Sequence, residues 1–195
     1  MNRTFAATAA IAASMFALAS AQTTGSEVQR NANQQERIEQ GLKSGSLSTG
    51  EAAKLEKGEA KIDRMESRAN KDGTLTDAEK ARIQKAQNKE SRAITRAKTN
   101  DRTGNPNSAS SQRMQADVQR NANQQNRIEQ GVKSGALTTH ETAKLERGQA
   151  KVNGAEARAG ANGHVGAGEQ KAIQGKENTQ SKRVYKQKHD AQTSG

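Results

Sequence analysis

Cysteine and tryptophan are absent from this 195-residue chain, proline occurs once, and the aromatic side chains are one tyrosine and two phenylalanines. Without cysteine there is no disulfide framework, no lipobox for a lipid anchor and no thiol nucleophile. Both phenylalanines, Phe5 and Phe16, lie near the N-terminus, which leaves Tyr185 as the only aromatic of the remainder. Only 30% of residues are hydrophobic, and past the N-terminal run no segment approaches the roughly 20 apolar residues that span a bilayer. Material for a large core is scarce. With a formal charge of +11, the composition borders on that of disordered proteins, so patterning must decide between fold and coil.

The first residues, "MNRTFAATAAIAASMFALASAQ", place Arg3 ahead of an alanine-rich apolar run that ends in Ala19-Ser20-Ala21. A short positive flank, an apolar stretch of this length and a small-x-small site are the parts of a secretory signal. Residues 1–21 are therefore expected to be removed by cleavage after Ala21, giving a periplasmic or secreted protein of bacterial type that begins at Gln22.

The remainder contains itself twice. "VQRNANQQERIEQGLKSGSLSTGEAAKLEKGEAKI" begins at Val28, and "VQRNANQQNRIEQGVKSGALTTHETAKLERGQAKV" begins 90 residues later at Val118. The register holds without a gap through Gly73 and Gly163, Ile83 and Ile173, and Lys98 and Lys188. A duplication that keeps its spacing through its loops implies a folding unit. The organisation expected is helical module 1 over 22–100, a polar flexible linker with Pro106 over 101–115, helical module 2 over 116–190, and a disordered tail over 191–195. At about eighty residues each, the modules stand near the lower limit for a single core.

A smaller pattern, Gly-x-Leu/Val-Ser/Thr-x-x-Glu, recurs at Gly45, Gly73 and Gly135, and in degraded form at Gly163. Glycine permits the tight turn, the hydroxyl caps the next helix, and Glu three residues later completes a capping box. Ser48 with Glu51, Thr76 with Glu79, and Thr138 with Glu141 satisfy that rule. Apolar stripes at helical spacing flank these turns: Val28, Ala32, Ile38 and Leu42; Ala52, Leu55, Ile62, Met65 and Ala69; Ile83, Ala86, Ile94 and Ala97. The fold class expected is all-α, with about three helices per module. Glycines after Lys151 predict that the second module frays first.

Gly-x-Leu-Thr-x-x-Glu resembles the second half of an EF-hand loop, and two such motifs per module resemble an EF-hand pair. The resemblance implies calcium ligands at the third, fifth and twelfth loop positions, here Asn70, Asp72 and Glu79. It also implies a short β-bridge joining Leu47 to Leu75 and Leu137 to Val165. Arg68 stands at the first position, where the family carries a carboxylate, and the loops at Gly45, Gly135 and Gly163 hold fewer ligands still. Either the Asn70–Glu79 loop is a capped Asp-Gly turn with no ion, or it binds calcium weakly, at about 10⁻⁴ to 10⁻³ M. No other cofactor is implied.

His140, His164 and His189 are well separated and pair with no acid at metal-ligand spacing, and no catalytic constellation or phosphate loop is present. The expectation is a protein that is not an enzyme. Bases interleaved with acids, as in "KLEKGEAKIDRMESR", read as a solvated helix face. Near the C-terminus Lys182, Arg183, Lys186 and Lys188 form a basic cluster able to contact anionic envelope components, either lipopolysaccharide or lipid headgroups, or extracellular DNA, by charge alone. With Tyr185 as its only aromatic, it has no platform for sequence-specific nucleic-acid reading.

The leading expectation is a non-enzymatic binding or structural module of the envelope. Two alternatives stay open: a largely disordered, hydrophilin-like stress protectant, and a basic polyanion-binding protein. The thin stripe of the third helix in each module also leaves room for a homo-oligomer.

Overall fold

The computed structural model describes the backbone of residues 7–190 and the side chains of residues 24–190. The side chains of the expected signal segment 1–21, Ala21 included, and all of the tail 191–195 lie outside the described residues. Six α-helices follow one another: α1 (Ala7–Ser44), α2 (Thr49–Ala69), α3 (Asp77–Lys98), α4 (Ala109–Lys133), α5 (Thr139–Ala159) and α6 (Ala167–Lys188). Among the described residues all regular structure is helical, and no β-bridge joins Leu47 to Leu75 or Leu137 to Val165.

The capped turns form as their sequence dictates. Glu51, Glu79 and Glu141 each accept from the backbone N–H of the cap residue, while Ser48, Thr76 and Thr138 accept from the N–H of that same Glu. Gly73 and Gly163 stop a single 3₁₀ turn after α2 and α5 at φ of 87° and 85°, a region that side-chain-bearing residues rarely adopt. Helix α4 begins at Ala109, inside the stretch read as linker, because Ser108 caps it. Ahead of it, the Gly104 N–H donates to the Gly45 carbonyl at 2.7 Å, which ties this connection to the first turn.

Packing runs between the repeats more than within them. Helix α2 lies along α5 and α1 along α4, while α3 flanks α1 and α2, and α6 flanks α4 and α5. Equivalent residues of the two copies meet directly: Asn153 donates to Asp63 at 2.9 Å, and Asn126 to Glu36 at 3.2 Å. Contacts between a residue and its own duplicate mark a pseudo-twofold axis that passes through both helix pairs.

That arrangement explains how so few apolar residues suffice. One apolar cluster gathers Ile38, Leu42, Leu47, Leu55 and Ile94 with Met114, Val118 and Ile173 of the other repeat. A second gathers Ile128, Val132, Leu137, Leu145 and Val184 with Val28. Most residues of the stripes read from sequence are thus buried, with Met65, Ala86 and Ala97 half-buried at the edge, and each cluster is completed by the opposite copy. Ile83 and Ile94 of α3 find their burial inside the chain.

Candidate functional site: sorted charges on the α2–α5 pair

Between the two apolar clusters the interior is polar, and it repeats with the symmetry. Asn31 donates to Glu66 at 2.7 Å and Asn121 to Glu156 at 2.6 Å. Gln35 donates to Glu56 at 3.0 Å and Gln125 to Glu146 at 3.3 Å. Gln34 and Gln124 donate to the backbone carbonyls of Gln87 and Glu177. On the flanks Arg30 and Arg120 donate to Asn88 and Asn178, and Arg37 and Arg127 to Ser91 and Ser181. The near-identical "QRNANQQ" segments are therefore the donor side of a buried hydrogen-bond network. Mid-helix Gly58 and Gly148 serve it too: a Cβ at either would overlap the head of Glu90 or Gln180.

The acceptors are acids, and they are sorted. Every acidic residue of α2 is buried: Glu51, Glu56, Glu59, Asp63 and Glu66. So is every one of α5: Glu141, Glu146 and Glu156. The exposed residues of α2 are all cationic, namely Lys54, Lys57, Lys61, Arg64 and Arg68. Those of α5 are His140, Lys144, Arg147, Lys151 and Arg158. The interleaved bases and acids expected on one solvated face are instead divided between the inside and the outside of the helix.

Burial has a direct electrostatic consequence. Removing a carboxylate from water disfavours its charged form. It raises Glu56 and Glu66 to about 7, in each case against the hydrogen bonds that favour the carboxylate. Asp63, Glu146 and Glu156 rise well above the usual carboxylate range, through burial first and then through their acidic neighbours. Glu59 does the same, and both its oxygens lack a hydrogen-bond partner. Further out, burial lifts Glu27 and Glu177 to about 8 and Glu90 and Asp117 to about 7. Acids that hold their protons near neutrality leave the chain with a net charge more positive than the formal +11.

Outside, α2 and α5 border a groove of about 520 Å³ lined by Arg64, Arg68, Lys71, Lys144, Arg147 and Lys151, with no carboxylate in its wall. His140 closes one end, its Nδ1 lying 2.9 Å from the Lys71 carbonyl oxygen. Among the described residues the ion pairs are Lys43 with Glu39, Arg120 with Glu177 and Lys133 with Glu129. None of them neutralises the groove.

The residues singled out from sequence occupy other places. Asn70 is buried and its Oδ1 lies 3.3 Å from the Thr24 hydroxyl. Asp72 is exposed, and Thr74 donates to it from both N–H and Oγ1, bonds that hold its carboxyl below the usual range. Glu79 accepts from Thr76 N–H at 3.1 Å and Oγ1 at 2.6 Å. Each of the three thus has a partner in its own turn, cap or neighbouring helix. Lys182, Arg183 and Lys186 are exposed on the last turns of α6, where cations complement the helix dipole, and Tyr185 stacks on His189 there.

The missed signal was periodic. Glu56, Glu59, Asp63 and Glu66 recur at steps of three and four, as do Lys54, Lys57, Lys61, Arg64 and Arg68. Two stripes of opposite charge in the same heptad rhythm occupy different helix faces. No protein-family model, no curated protein and no solved structure matches this chain.

Proposed function

We propose that this chain is an exported, non-enzymatic polyanion-binding protein that presents the α2–α5 face to phosphate-bearing lipopolysaccharide of the envelope. The observation that carries the reading is that every exposed residue of both helices is a base, none of them held in an ion pair. Unpaired cations in a row release condensed counterions when they meet closely spaced phosphates, which gives strong but salt-dependent affinity. The groove wall carries no Phe, Tyr or Trp on which bases could stack, so recognition is of charge density rather than of sequence. Export rests on the N-terminal pattern ending at Ala21. The acids of the same helices, withdrawn into the interior, cannot compete with the phosphate for the cations.

Binding of fluorescent lipopolysaccharide to residues 22–195 at 50 and 300 mM salt tests this. Replacing Arg68, Lys144 and Arg147 together by Ser should weaken binding by at least about tenfold at the lower salt and flatten its salt dependence. Replacing Lys182, Lys186 and Lys188 instead should weaken it less. Binding that is insensitive to salt, or is lost only with the α6 variant, would overturn the assignment of the α2–α5 face.

A further inference from the structure

The interior holds a second arrangement, independent of the outer face. Side-chain oxygens of Asp63, Glu66 and Glu146 lie within 4.8 Å of one another, and all three residues are buried. Any two oxygens no further apart than that can share a cation about 2.4 Å from each, the distance at which oxygen ligands hold calcium. Gln125 enters the same space. It is 1% exposed, its Nε2 lies 3.3 Å from Glu146 Oε2 and 3.5 Å from Asp63 Oδ1, and its Oε1 has no donor. Glu146 Oε1 likewise lacks a partner. A carboxamide turned by half a rotation exchanges nitrogen for oxygen without changing shape, so Gln125 can offer the cluster a donor or an electron pair.

We propose that Asp63, Glu66, Glu146 and the Gln125 carboxamide form an internal site for one hard divalent cation. The donor set is all oxygen, with no imidazole or thiolate, which selects calcium, manganese or magnesium over zinc and copper. Among the described residues no Lys or Arg forms an ion pair with any of the three acids. The duplication supplies an internal contrast. Across the pseudo-twofold the corresponding residues are Asn153, Glu156, Glu56 and Gln35, so the mate position has an amide where the site has Asp63. The site therefore occurs once per chain, although its framework occurs twice.

Equilibrium dialysis of chelator-stripped residues 22–195 against 1 mM calcium, manganese or magnesium, with metal content measured afterwards, tests the site. About one ion of at least one of these metals should be retained per chain, and it should raise the melting temperature by roughly 5 °C. Asp63→Asn should abolish retention while keeping the fold, because the second repeat already carries Asn at that place. A circular dichroism melt of the same sample verifies the fold. Asp72→Asn with Glu79→Gln should leave retention unchanged, which separates the interior from the surface loop. Retention below about 0.2 ion per chain for all three metals, unchanged retention in folded Asp63→Asn, or loss in the loop variant would each overturn the proposal.

Discussion

Position for position, the first repeat buries Glu59 and Asp63 and half-buries Glu90 where the second has Gln149, Asn153 and Gln180, and Gln87 of the first corresponds to Glu177 of the second. Each exchange swaps a carboxyl for a carboxamide of nearly the same shape. The hydrogen bonds from Asn31 and Asn121, and from Gln35 and Gln125, survive it unchanged in kind. The two halves thus share a packing scheme and differ in how much ionisable material they enclose. Shape is constrained by the partner repeat, since every apolar cluster is built from both copies. Charge at the same positions is free to diverge as long as protons, or a cation, can neutralise it.

The largest effects should be the ones the repeats share. Leu47 and Leu137 pack on Gly41 and Gly131 and are buried, so Leu47→Ala and Leu137→Ala should each cost about 2–5 kcal/mol in urea unfolding. A difference between them of more than about 2 kcal/mol would break the equivalence of the two clusters.

Next comes pH. Burial raises Glu90 and Asp117 to about 7 and Glu177 to about 8, above the values these groups have in an unfolded chain. A raised carboxyl binds its proton more tightly in the fold, so the stability it lends is complete below about pH 4 and is lost as pH rises through 7 to 8. The protein should therefore melt about 5 °C or more higher at pH 5 than at pH 8.5 in chelator. Glu177→Gln, which makes the second repeat match the first at that place, should reduce the difference. A melting temperature that rises with pH would contradict the burial of these acids.

Smaller still is the exchange at the axis. In chelator at pH 8, Asn153→Asp should destabilise by roughly 1–3 kcal/mol, because a second carboxyl then faces Asp63. Asp63→Asn should do the reverse or nothing. The smallest effect concerns a cap. Gly166 precedes α6 with only the Glu169 carboxylate accepting from its N–H, whereas Thr76 also supplies a side-chain acceptor. Gly166→Thr should add a few tenths of a kcal/mol and narrow the gap between the ends of α6 and α3.

Much of the fold was legible. Val28, Ile38, Leu42, Leu55, Ile83 and Ile94 are buried as their spacing required, and three capping boxes form where Ser or Thr precedes Glu by three residues. The packing of one repeat onto the other was not legible, because a gapless duplication is equally consistent with separate modules. The polar interior was hidden by a reasonable rule, that Glu and Lys alternating along a helix face water. Asp63 and Glu66 break it because Asn and Gln of α1 and α4 stand ready to donate, and those partners lie 35 and 62 residues away in sequence. The charge-based reading of the tail drew on local density in "KRVYKQK". Density along one strand of sequence says nothing about two helices that place their bases side by side.

Proton counting tests the central claim most directly. Potentiometric titration of residues 22–195, folded and in 8 M urea, compares the protons released between pH 5 and 8.5. With Glu56, Glu59, Asp63, Glu66, Glu146 and Glu156 sealed inside, the folded chain should still hold several carboxyl protons at pH 6 that the unfolded chain has already released. Coincident curves through that range would mean that these acids face water, and the sorting of charge between the inside and outside of the α2–α5 pair would fall with them.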